Sequence, residues 1–333
     1  MSFIKSVLID CGRGWYSPAQ IKEIIDIMAK CKYDYLMLGF GNDGLRFILD
    51  DMAVTADGCT YDSDKITKGI INSNDKISPD SMGQFTEKDM DEIIEFAGKN
   101  NIEIIPMMDV PGHATAITGA MSECNIENAS YIYNTEDSSL VNLNNLSVNI
   151  ENEAAVNFTL ALVKKYIDYF DKKGCKYFNF GFDEYGGNAS TLTEDVLKKI
   201  SDFCCKLCTM LPSHIEPMAF TDVLSKCKNY PDNLIGINWI GGSFEGHKML
   251  NANCGWYYVL GNTNKNTESG WSTYETAMKN AAEIPVTKQI KDDSMPIGFT
   301  FAVWNDLYYS PEKYISIIKE IMESIAKNNP DFF

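Results

Sequence analysis

Asp183 and Glu184 stand side by side directly after the apolar run KYFNFGF, and Asp109 opens the segment DVPGH that ends in His113. Arg13, Asn42 and Asp43 with Arg46 close behind, Asp222, Trp239, Trp256 with Tyr257, Trp304 and Asp306 complete the residues able to bind or react. Carboxylates, one histidine, one arginine fork and several indoles are what a sugar site needs. Pyranose rings stack their apolar C–H faces on aromatic rings, and their hydroxyls take charge-assisted hydrogen bonds. Plainer readings exist for each member. Trp239 and Trp304 could be barrel core, Asp109 and His113 a pair that steadies a loop, and Asp183-Glu184 a solvated turn. Two acids that follow an apolar run at a common rim argue against the last.

What gathers them is the order of elements. Apolar runs of strand length (6–10, 33–41, 102–110, 176–183, 217–222, 234–240, 255–260 and 296–304) alternate with helical patterns near 18–31, 87–101, 149–172, 193–211 and 311–327. Ser17 before Pro18 reads as a helix N-cap. Near-continuous apolar strands alternating with helices predict a parallel sheet covered on both faces. Eight such units, with no Gly-rich dinucleotide fingerprint after the first strand, predict an α/β fold of the (β/α)8 TIM-barrel type. The barrel is expected to fill residues 1–333 as one catalytic domain with no separate small domain before it. Every residue named above then falls at a strand's C-terminal end, where barrels carry their sites. Residues 52–86 and 111–148 are expected as long insertions after strands 2 and 3, where binding loops grow.

The 29 Lys+Arg stand against 46 Asp+Glu, a net charge of −17. A chain this acidic repels phosphate backbones, so nucleic acid is excluded as a partner. No run of 18 apolar residues predicts a membrane span. Only Arg13 and Arg46 are arginines, against 27 lysines. Arginine offers a planar fork that lysine cannot copy, so both positions are places to look for contacts that demand geometry. Ten cysteines and no cationic leader lean towards a reducing cytoplasm if Met1 is the native start, or otherwise an excised domain of a secreted or cell-surface protein. Cys204, Cys205 and Cys208 read as buried thiols. No histidine–carboxylate cluster has metal-ligand spacing, so neither a metal nor another cofactor is expected. The sequons at Asn128, Asn145, Asn157 and Asn188 read as chance in so asparagine-rich a chain.

The segments IEIIPMMDVPGHA (102–114), FNFGFDEY (178–185), GWYYVLG (255–261) and FAVWND (301–306) resemble glycoside hydrolase family 20, the β-N-acetylhexosaminidases. GNDGLRFILDDM (41–52) and WYYVLGN (256–262) look closest to the catalytic modules of streptococcal surface exo-β-N-acetylglucosaminidases. The resemblance implies retaining, substrate-assisted hydrolysis that removes a terminal β-linked N-acetylglucosamine, or N-acetylgalactosamine, from an oligosaccharide or glycoconjugate. It implies Glu184 as general acid and base, Asp183 as the group orienting the acetamido N–H, and Tyr257 as donor to the acetamido oxygen. By the same carry-over Trp239, Trp256 and Trp304 wall the sugar, with Trp271 a weaker candidate, and Arg13 and Asp306 take its hydroxyls. His113 would bridge Asp109 towards Glu184, and Asp43 would pair with Arg46 at the rim. The sequence departs from the family in Asn42-Asp43 where Asp-Asp is common, Phe220 where Trp is frequent, and Asp306 where Glu is usual. These departures bear on gluco against galacto discrimination. Two other readings share the fold. A disaccharide-releasing enzyme such as a lacto-N-biosidase needs an open second sugar subsite beyond Asp306, and a non-catalytic glycan-binding module has no need of Asp183, Glu184 and Tyr257 together. A metal-dependent deacetylase lacks ligand spacing.

Overall fold

The computed structural model describes residues 3–78, 82–131, 146–185, 192–239, 242–244, 246–252, 274–287, 296–304 and 311–333. Its eight parallel barrel strands are β1 (Ile4–Asp10), β2 (Tyr35–Asn42), β3 (Glu103–Met108), β4 (Tyr177–Asn179), β5 (Glu216–Phe220), β6 (Ile235–Asn238), β7 (Met249–Asn251) and β8 (Gly298–Val303). β1 pairs with both β2 and β8, which closes the ring. The period of two sorts the side chains. Ile4 and Leu8 of β1 join Met37, Ile105, Met107, Met218, Ile237 and Leu250 inside the barrel, while Val7, Ile9, Leu36 and Leu38 pack outward under the helices. Ser6 also sits in the interior face of β1, and its hydroxyl meets Thr300 Oγ1 at 2.5 Å and donates to the Phe299 carbonyl at 2.9 Å. Continuing that alternation brings Asp10 to the top of the interior.

The helices are α1 (Pro18–Lys30), α2 (Ser63–Ile77), α3 (Glu87–Lys99), α4 (Thr115–Glu123), α5 (Glu153–Lys172), α6 (Glu194–Met210), the single turn α7 (Thr221–Leu224), α8 (Tyr274–Glu283) and α9 (Pro311–Asn328). Ser17 caps α1 in a reciprocal box with Gln20, and Thr86 does the same for α3 with Asp89. Such caps contribute about 1 kcal/mol each, which fixes where each helix starts relative to its strand. No helix among the described residues is long and apolar enough to cross a membrane.

Two strands differ from expectation. The seventh is Met249–Asn251, earlier than the run 255–260, which lies outside the described residues. A three-residue strand with one exposed flank offers too little periodicity to read. β4 stops at Asn179 because Gly181 (φ 73) and Phe182 (φ 66) leave extended geometry. The insertion after β2 contains a hairpin, 54–56 against 59–61, and then α2, which packs on α4. Asn74 of α2 reaches back with its side-chain amide to both main-chain groups of Leu45, fastening the insertion beside the strand that carries Asp43.

Candidate active site

The ends of β3 and β4 approach so closely that only glycine fits at two points. A Cβ on Gly112 would lie 2.1 Å from the Asp183 carbonyl oxygen, and one on Gly181 would lie 2.1 Å from Asp109 Oδ1. Four residues here, Asp43 (φ 55), His113 (φ 39), Phe182 (φ 66) and Glu184 (φ 46), hold left-handed backbone without being glycine. That conformation costs of order 1–3 kcal/mol per residue and persists only where surroundings over-determine it. Here they do. Asp43 N–H donates to the His113 carbonyl at 2.5 Å, Asp183 N–H to Asp109 Oδ1 at 3.4 Å, and Glu184 N–H to Asp222 Oδ2 at 3.0 Å.

His113 links the carboxyls. Its Nδ1 lies 3.0 Å from Asp43 Oδ2, and its Nε2 lies 3.5 Å from Glu184 Oε2 and 3.9 Å from Asp183 Oδ2. Burial opposes a charged imidazole, but the Asp43 carboxylate, with Glu184 and Asp109, holds His113 well above its ordinary value. Burial likewise opposes ionisation of Asp43 and Glu184. The neighbouring His113 charge, helped by Arg13, overcomes it and leaves both below the usual carboxylate range. The remaining acids go the other way. Burial, then the charges of Asp222 and Glu184, push Asp183 far up; burial pushes Asp109 up to about 7 and Asp222 up to about 6. Among the described residues, Asp183 Oδ1 and Asp109 Oδ2 are buried without a hydrogen-bond partner. A buried acceptor left in that state costs roughly 1–3 kcal/mol, so the oxygens are poised for a donor from outside.

The aromatic side is built by β5, β6 and β8. Phe220 lies between Trp239 (centroids 6.4 Å) and Trp304 (5.7 Å), and both indoles are nearly buried at the top of the barrel interior. They thus belong to the barrel core at its C-terminal end. Arg13 Cζ sits 5.4 Å over the Trp304 ring. Its Nε donates to Asp10 Oδ2 at 2.7 Å, while Asp10 Oδ1 accepts the N–H groups of Gly12 and Arg13. One buried carboxylate therefore folds the turn and aims the guanidinium.

Two expected contacts are corrected. The carboxylate behind His113 is Asp43, whose Oδ1 also accepts the Thr115 hydroxyl, rather than Asp109, because Asp109 Oδ1 is turned to the Asp183 main chain. Arg46 is fully buried and donates to the carbonyls of Gly12, Gly83 and Asn74 at 2.9, 2.9 and 3.2 Å, in place of a pair with Asp43. It joins the Arg13 turn to the inserted α2, a task for a fork with donors in several directions. Trp256, Tyr257, Trp271 and Asp306 lie outside the described residues.

Ligand atoms of Asp109, His113 and Asp183 come within 4.8 Å of one another, a grouping that spacing along the chain does not reveal. Two of these three are acids held towards their neutral form and the third is paired through Nδ1, so as they stand they make poor metal ligands. Asp10 and Asp222 are the neighbouring acids to which no role could be given from sequence. The available signal was an acid ending a strand, with Arg13 three residues after Asp10.

The family model for the catalytic domain of glycosyl hydrolase family 20 matches residues 5–319. A structure of the tandem catalytic modules of the pneumococcal exo-β-D-N-acetylglucosaminidase StrH superposes with a TM-score of 0.87 at 30% identity, covering 100% of this chain and 84% of that one. A β-hexosaminidase of Vibrio vulnificus is 27% identical over 119 residues, 34% of this chain and 14% of its own length. An N,N'-diacetylchitobiase of Vibrio harveyi is 29% identical over 124 residues, 35% of this chain and 14% of its own. The matched segment of the chain thus spans about a seventh of the length of these two relatives.

Proposed function

The chain belongs to glycosyl hydrolase family 20, and from that premise we propose that it is an exo-acting β-N-acetylglucosaminidase that works by substrate-assisted, retaining hydrolysis. The observation that carries this is the unequal setting of two adjacent carboxyls. Asp183 is buried with one oxygen unpartnered, whereas Glu184 keeps 36% of its side chain exposed. Neighbouring residues cannot flank a glycosidic bond from opposite faces as a two-carboxylate mechanism requires. They can divide one face: Asp183 receives the acetamido N–H inside the pocket while Glu184 reaches the leaving oxygen outside it.

The acetamido carbonyl oxygen of the substrate then attacks C1 as the C1–O bond breaks and Glu184 gives its proton to the leaving oxygen. The bicyclic oxazolinium that results carries positive charge shared with the amide nitrogen; that charge and the acetamido N–H offset the burial that favours neutral Asp183, so Asp183 gives its proton to water and stabilises the cation as a carboxylate. Water, deprotonated by Glu184, opens the ring at C1 with net retention. In the free pocket Glu184 is held ionised by His113. Sugar that displaces water from Glu184 strengthens the burial already opposing that ionisation, which favours the protonated acid. Arg13, aimed by Asp10, grips ring hydroxyls beside Trp304. Tyr257, Trp256 and Asp306 keep the roles that the resemblance gives them. The ligand is an oligosaccharide or glycoconjugate ending in β-linked N-acetylglucosamine, with N-acetylgalactosamine the alternative sugar.

Glu184→Gln should lower kcat on an aryl β-N-acetylglucosaminide by about 10²–10⁴-fold, the usual contribution of a positioned acid. An oxazoline-mimicking thiazoline should still bind the variant. Full activity of Glu184→Gln would overturn the reading.

A further inference from the structure

Asp222 follows β5 in the single turn α7, and both its oxygens are engaged by groups from other strand ends. Oδ2 accepts the main-chain N–H of Glu184 at 3.0 Å, and Oδ1 accepts the indole N–H of Trp239 at 3.2 Å. One carboxylate thus ties the end of β4 to the end of β6. The tie matters because of what it holds. Glu184 has φ 46, a conformation that a glutamate leaves readily unless its peptide is fixed. A return to negative φ would swing the carboxyl away from His113 and from any sugar that rests on Trp239.

We propose that Asp222 is a positioning residue for the acid Glu184, fixing the distance between that carboxyl and the Trp239 wall through one carboxylate shared by both. The inference rests on the reading of Glu184 as general acid. A carboxylate suits the task better than a neutral amide because both groups it faces are donors, and an anion accepts from two N–H groups where an amide would turn its own NH2 towards one of them. Asp222 also stands in the field of Asp183, Glu184 and Asp109, and after burial its charge is the next cause that raises the Asp183 carboxyl above its ordinary range. The tie is therefore electrostatic as well as mechanical.

General acid catalysis gives a readout that a merely structural role does not move. A 2,4-dinitrophenolate leaves without much help from a proton, whereas a phenolate needs it, so misplacing the acid should harm the two substrates unequally. Wild type and Asp222→Asn are compared on the phenyl and the 2,4-dinitrophenyl β-N-acetylglucosaminides. The proposal predicts a loss in kcat of about 10–100-fold on the phenyl substrate, the scale seen when a supporting hydrogen-bond partner is removed. The loss on the dinitrophenyl substrate should stay within about 3-fold, because that step draws little on the acid. Equal losses on both substrates, or no loss on either, overturn it. If Asp222→Asn does not fold, Trp239→Phe removes the second donor and also trims the sugar wall, which weakens both substrates alike; beyond that common loss the phenyl substrate must lose more, and losses equal on both overturn the proposal as well. A wild-type enzyme that hydrolyses neither substrate would instead strike down the functional reading.

Discussion

At the N-terminal end of the barrel Lys176 faces Glu103 at 2.6 Å, Lys248 faces Glu216 at 2.5 Å and Lys5 faces Asp34 at 3.5 Å, all in opposite-sign pairs with at least one partner open to solvent. Tyr35 and Tyr177 close the interior beneath them, edge to face at 5.6 Å. At the C-terminal end Asp43, Asp109, Asp183 and Glu184 crowd around one imidazole, two of their oxygens have no partner among the described residues, and four residues nearby hold left-handed backbone. The same ionisable chemistry is thus spent differently. One end pairs charges where water screens them and little is gained or lost, while the other buries like charges whose satisfaction waits for a ligand. A barrel tolerates the second because its strands are fixed from the first.

Breaking the contrast at the rim should cost most. Arg13→Lys keeps the charge but removes the fork, so kcat/KM on an aryl β-N-acetylglucosaminide should fall by about 10–100-fold, the loss of one or two charge-assisted hydrogen bonds. Circular dichroism should show the fold intact, and an unchanged kcat/KM would remove Arg13 from the site. A smaller effect concerns pH. Asp109 holds its proton in the folded protein up to about 7, whereas an unfolded aspartate releases it near 3.9. Folding therefore takes up protons between pH 4 and 7, and stability falls as pH rises through that window. Asp109→Asn should make the fall in Tm from pH 4 to pH 7 shallower than in the wild type, and an identical slope would contradict the assignment. The smallest effect is expected at the other end. Lys176→Met breaks an exposed pair and should change stability by no more than about 1 kcal/mol in denaturant unfolding, with activity untouched.

The contrast also explains what could be read in advance. Strand count, closure and the cap at Ser17 follow from periodicity and local hydrogen bonding, which are written in neighbouring residues. The gathering of Asp183, Glu184, Asp109, His113 and Trp304 on one rim follows from their positions at strand ends. Partnership does not. That His113 turns to Asp43, and that Arg46 serves three main-chain carbonyls, depends on left-handed turns and on how α2 docks, neither of which has a local signature. β7 escaped for the opposite reason, since three residues are too few to show a period.

The central claim is that the substrate's own acetamide is the nucleophile, with Asp183 and Glu184 serving it from one side. Its most direct test is kcat/KM along a series of aryl glycosides whose N-acetyl group carries zero, one, two or three fluorines, since each fluorine weakens the carbonyl oxygen as a nucleophile. A steep, progressive fall with fluorination is the predicted result. A rate indifferent to fluorination would contradict the account.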